Sequence, residues 1–129
     1  MKALAILSMT LMLSLFAEAK TLPAVLIPMD TTESDIDFGE VPVGDYGLGD
    51  IYAKAGDQAL QISEITVTGD MFSVAHNCPT ELAVGKTCHI IPIFEPTAEG
   101  DYKGDLTVKT SAGDYLFHLM GSGSNGHEN

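Results

Sequence analysis

The sequence predicts an all-β domain, a sandwich of two antiparallel sheets, on three observations. Short segments of alternating apolar and polar residues recur along the chain, clusters of Gly, Pro, Asp and Ser separate them, and nothing beyond residue 20 carries a helical period.

Residues 20–33 read as an extended N-terminal segment, because Pro23 and Pro28 disfavour a helix and suit a lead-in or edge strand. Next, Ile36 and Phe38 alternate with Asp35 and Asp37 as in a half-buried strand, and 41–45, with Pro42 and Gly44, reads as a turn. Gly47 and Gly49 weaken 46–55, yet plain alternation puts Ile51, Ala53 and Ala55 on one face and Tyr52 on the other. Leu60, Ile62, Ile65 and Val67 mark one or two short strands ahead of 71–74. In 88–94, Cys88, Ile90, Pro92 and Phe94 share one face while His89, Ile91 and Ile93 share the other. Pro92 has no N–H to give a ladder, which predicts an edge position or a bulge. Leu106 and Val108 alternate with polar residues. In the last strand Tyr115, Phe117 and Leu119 oppose Leu116, His118 and Met120. Seven to eight strands over about 100 residues is the pattern of an immunoglobulin-like sandwich.

The first nineteen residues have a charge at Lys2, an apolar run over 3–16 and a small-x-small ending at Ala17-Glu18-Ala19. That is the layout of a signal peptide cleaved before Lys20, and it predicts a periplasmic or secreted protein with no membrane insertion of the mature chain. The expected organisation is 1–19 signal peptide, 20–33 extended segment, 34–123 sandwich and 124–129 flexible polar tail. A net charge of −12, with every one of the six basic residues a lysine, argues against nucleic acid and anionic lipid as partners. Cys78 and Cys88, in an exported chain, are expected to form a structural disulfide.

The ordered set Ile36-Asp37-Phe38-Gly39, Val41-x-Val43-Gly44, Gly56-x-x-x-Leu60-x-Ile62-x-x-Ile65-x-Val67-x-Gly69-x-x-Phe72 resembles the ASH domains and the related "choice-of-anchor D" modules of bacterial surface proteins. Asn77-Cys78, Leu82-Ala83-x-Gly85-x-x-Cys88-x-Ile90, Phe94-x-Pro96-Thr97, Gly100-x-x-x-Gly104-x-Leu106-x-Val108 and Leu119-x-Gly121-x-Gly123 continue the pattern. The resemblance implies a non-enzymatic sandwich related to the PapD and major-sperm-protein folds, with Cys78 and Cys88 matching the cysteine pair of bacterial members. The family register would turn Tyr52 inward and put Asp50 at an apolar position, which predicts a bulge or slip in that strand.

Two function classes remain. The first is a protein-binding module at the bacterial cell envelope, without cofactor, that contacts its partner through a strand edge or through the outward positions Ile91 and Ile93 on one strand and Leu116, His118 and Met120 on another. Alternatively, the segment 22–29 folds over one of those faces. The second class is a divalent-ion binder. Zinc or copper would sit at His76, Cys78, Cys88 and His89, and calcium on the run Asp30, Glu33, Asp35, Asp37 and Glu40. No nucleophile elbow or catalytic motif is present, so no catalytic residue is nominated.

Overall fold

The computed structural model describes residues 20–28 and 32–125, and within them the protein is all-β. The signal peptide expected over 1–19, Asp30 of the acidic run and most of the 124–129 tail lie outside the described residues.

Among the described residues nine strands run in chain order: β1 Lys20–Ile27, β2 Glu33–Pro42, β3 Gly47–Lys54, β4 Leu60–Thr68, β5 Phe72–His76, β6 Glu81–Leu82, β7 Thr87–Phe94, β8 Gly100–Thr110 and β9 Gly113–Ser124. Sheet A has the order β1-β3-β7-β5 and sheet B the order β2-β9-β8-β4-β6. The two packed sheets bear out the predicted sandwich. Two ladders, β1 on β3 and β2 on β9, are parallel; the rest are antiparallel.

Alternation decides which side chains fill the space between the sheets. Ile51 and Ala53 of β3, Cys88, Ile90 and Phe94 of β7, and Tyr115, Phe117 and Leu119 of β9 are buried. In two strands the inward parity changes midway, and each change is a bulge. β2 passes from Ile36 and Phe38 to Val41 across a register shift between Asp37 and Glu40, where Gly39 takes φ 68° and its N–H is accepted by Asp37 Oδ1 at 2.8 Å. β4 passes from Leu60 and Ile62 to Ile65 and Val67 across a shift between Ile62 and Glu64, so it is one bent strand. β2 also continues through Pro42, which shortens the turn expected over 41–45.

Pro92 corrects an expectation. Its strand is not at an edge and is not bulged: β7 lies between β3 and β5, and its register is regular on both sides. The residue opposite explains this. Gly49 has no side chain, and a Cβ there would lie 2.7 Å from Pro92 Cγ. The bulge or slip that the family register predicts in β3 is likewise absent from the β3–β7 ladder, which keeps one register throughout. Tyr52 faces outward beside Asp50, as plain alternation predicts.

The N-terminal segment is part of the sandwich rather than a lid over it. Ile27 is fully buried, and Leu22 and Val25 pack on the core. Cys78 and Cys88 form a disulfide, with Cα atoms 5.1 Å apart, that ties the loop after β5 to the start of β7.

Two stability predictions follow from these contacts. Gly49→Ala lowers the unfolding free energy by about 1–3 kcal/mol through overpacking against the proline ring, and Pro92→Ala in the same chain restores most of it in denaturant titration. Opening the Cys78–Cys88 loop by reduction and alkylation costs about 2.5–3 kcal/mol on the chain-entropy account, read from the same titration.

Candidate functional site

The proposed surface residues separate onto opposite sides of the molecule. Ile91 and Ile93 lie on the outer face of sheet A; Leu116, His118 and Met120 lie on the outer face of sheet B. The two sets cannot form one patch.

On sheet A the outward apolar positions lie on three adjacent strands, with Asp50 and His89 set among them. Leu48 pairs with Ile93, Tyr52 with His89, and Leu26 of β1 with Tyr52. Leu26 is 54% exposed, whereas Leu48, Tyr52, Ile91 and Ile93 are half-buried. Rather than covering this face, 20–27 widens it by one strand. Its polar members are tied together: His89 Nδ1 lies 3.2 Å from Asp50 Oδ1, and the imidazole packs on Tyr52 with ring centroids 4.5 Å apart. The backbone N–H of His89 donates to Asn77 Oδ1 at 2.8 Å. Leu26 and Leu48 escape sequence reading because the prolines and glycines around them break the pattern. The signal present was the period of two in Ala24 and Leu26, and in Leu48, Asp50 and Tyr52.

The outer face of sheet B is acidic. β2 sets Glu33, Asp35 and Asp37 beside Leu116, His118 and Met120, and β8 sets Thr107, Asp105 and Lys103 on their other side. Leu116 and Met120 are therefore separated apolar positions among carboxylates. His118 is held from both sides: Nδ1 is 3.0 Å from Asp105 Oδ1 and Nε2 is 3.5 Å from Glu33 Oε2. The hydrogen bond to Asp105 is the main cause that raises its pKa above the ordinary 6.5. Partial desolvation opposes the shift, and the charges of Asp105 and Glu33 reinforce it. A shallow depression of about 490 Å³ runs along this row, lined by Asp35, Thr68, Lys103, Asp105 and His118 among others.

The ligand sets drawn for an ion do not assemble. Both thiols are in the disulfide, His76 Nδ1 accepts the N–H of Cys78 at 3.1 Å, and His89 is engaged by Asp50. Alternation on β2 spreads Glu33, Asp35 and Asp37 along one face instead of around a point. Among the described residues no group of three His, Cys, Asp or Glu side chains is placed to hold a metal ion.

No family model and no curated protein matches the chain. Solved structures do share its fold. The secreted serine protease VesC from Vibrio cholerae is 17% identical at TM-score 0.50, matching 67% of this chain but 21% of its own. The VesB protease of Vibrio cholerae is 18% identical at TM-score 0.50, over 70% of this chain and 30% of its own. The structure of PbICP-C in complex with falcipain-2 is 12% identical at TM-score 0.50, over 82% of this chain and 100% of that chain. At these identities the likeness is one of fold alone, and this chain spans under a third of either protease.

The His118 geometry predicts a pH dependence with a definite sign. Because the folded pKa is raised, the contribution of the His118–Asp105 pair to stability is complete below 6.5 and is lost as pH rises through the folded value, above 6.5. NMR titration should place the imidazole above 6.5 and nearer to it in Asp105→Asn. The stability gap between the two proteins should narrow as pH rises.

Proposed function

We propose that this chain is an exported, non-enzymatic binding module of the ASH type. It contacts another protein at the bacterial cell envelope through the outer face of sheet A. The observation that carries the reading is the placement of Leu26, Leu48, Tyr52, Ile91 and Ile93 on the outer face of three adjacent strands, broken there only by Asp50 and His89 on β3 and β7, where a solvated sheet face normally alternates to polar residues. Export is supported by the layout of 1–19, and the ASH assignment by the ordered motifs over 34–123.

The histidine chemistry favours binding over catalysis. Each of these two Asp–His pairs has the look of a base with its orienting carboxylate, but the other partner of His118 is the Glu33 carboxylate, and His89 packs on the ring of Tyr52 with no hydrogen bond to its hydroxyl among the described residues.

Affinity capture from an envelope fraction tests the reading. Ile93→Asp should keep the circular-dichroism spectrum and a melting temperature close to the parent, yet lose the captured protein. Leu116→Asp, on the opposite face, should retain it. Capture that survives both Ile91→Asp and Ile93→Asp overturns the assignment of this face.

A further inference from the structure

An exposed sheet edge offers unpaired N–H and C=O groups to any chain that can lie beside it, and folded proteins normally obstruct such edges with prolines, charges, bulges or extreme shortness. Among the described residues, three of the four sheet edges are obstructed. β1 carries Pro23 within a register shift between Thr21 and Ala24. β2 carries the carboxylates Glu33, Asp35, Asp37 and Glu40 and its own bulge. β6 is two residues long, and β4 beyond it has the bulge before Glu64 and that residue's charge.

β5, Phe72-Ser73-Val74-Ala75-His76, has none of these devices. It contains no proline, lysine or carboxylate, and its register to β7 is unbroken from Phe72 opposite Phe94 to His76 opposite Ile90. The flanking bonds, Glu95 N–H to Met71 O at 2.9 Å and Asn77 N–H to His89 O at 3.2 Å, fix the parity of the ladder. Odd-numbered residues exchange bonds with β7, so the N–H and C=O groups of Phe72, Val74 and His76 point to the open side. Among the described residues no strand lies beyond β5. Ser73 and Ala75 are small. Their partners Ile93 and Ile91 are thereby left within reach of long side chains on an added strand.

We propose that β5 is a docking edge for an extended, lysine- or arginine-bearing segment of a partner protein, added antiparallel as a further strand of sheet A. Charge selects this occupant. Asp70 precedes the strand and Glu95 is bonded to Met71 at its start; Glu64, which shares with His76 a shallow groove of about 170 Å³ at its end, is paired with Lys109 at 3.7 Å and adds less. A second copy would bring another −12 against this surface, whereas a basic segment is drawn to it. The inference rests on the reading of the chain as a protein-binding module. It adds main-chain pairing at a place distinct from the centre of the apolar face.

The test uses the exported chain and a short labelled peptide alternating lysine with valine, with a glutamate–valine peptide as control. Fluorescence anisotropy should give saturable binding of the basic peptide only, and amide chemical shifts should change most at Phe72, Val74 and His76. Val74→Pro removes an N–H that faces away from β7 and should weaken binding about tenfold or more. Ser73→Lys alters only an exposed side chain and should weaken it as well, which guards against misfolding of the proline variant. Equal affinity for the acidic peptide, or no saturable binding, overturns the proposal. So does dimerisation in sedimentation that Val74→Pro abolishes, because a second copy is then the occupant. Shifts centred on Leu26 and Tyr52 remove the edge but leave the apolar face standing. Conversely, edge binding that coexists with envelope capture insensitive to Ile93→Asp removes the face alone.

Discussion

Phe94 is the contact through which the two sheets close. Its ring centroid lies 5.0 Å from that of Phe72, 5.7 Å from Phe38 and 5.9 Å from Tyr102, so one side chain of β7 touches β5, β2 and β8. Each such pair is worth about 0.5–1.5 kcal/mol beyond its burial. The fourth wall is backbone: a Cβ on Gly121 would lie 2.6 Å from the ring, so β9 approaches only because that residue is glycine. At the other end of β7 the disulfide from Cys88 holds the strand to the loop after β5. With β7 fixed at both ends, its inward residues must stay inward, and the outward orientation of His89, Ile91 and Ile93 is a consequence.

Much of this was legible in the sequence wherever a period of two ran unbroken. The inward sets of β7, β8 and β9 were read directly, because burial on one face writes itself as alternation. Pro92 was misread for a different reason. Whether a strand can hold a proline depends on what stands opposite, and Gly49 is 43 positions away with nothing local to announce the pairing. The bulges of β2 and β4 were half-visible. Phe38 to Val41 and Ile62 to Ile65 both change parity, but only cross-strand register distinguishes a bulge from two strands.

The surface residues were nominated by the same alternation and could not be sorted by it. Outward positions of every strand look alike in sequence, so alternation alone does not tell Ile93 from Leu116, although they sit on opposite faces. Pairing supplies what is missing. Neighbours of Ile93 are apolar or small, whereas neighbours of Leu116 and Met120 are Glu33, Asp37, Thr107 and Lys103. His118 shows the same dependence: its carboxylate partners come from β2 and β8, far apart in the chain, and the raised pKa follows from their convergence.

The two ends of the strand order are treated unequally, and this bears on where a partner can act. On one side the N-terminal segment gives β1 to sheet A and β2 to sheet B, so a single stretch of chain borders both layers, one edge interrupted by Pro23 and the other rich in carboxylates. On the far side, among the described residues, β6, two residues long, borders sheet B and no strand is added beyond β5 of sheet A. A domain this small gains stability from every paired strand, and leaving β5 bare forgoes that gain. The disulfide lies just beyond this bare strand, restraining the segment that follows it without covering its hydrogen-bonding groups. Rigid and unobstructed is the condition a strand must meet to template another, because a preformed edge spares the complex the entropy of ordering it on contact.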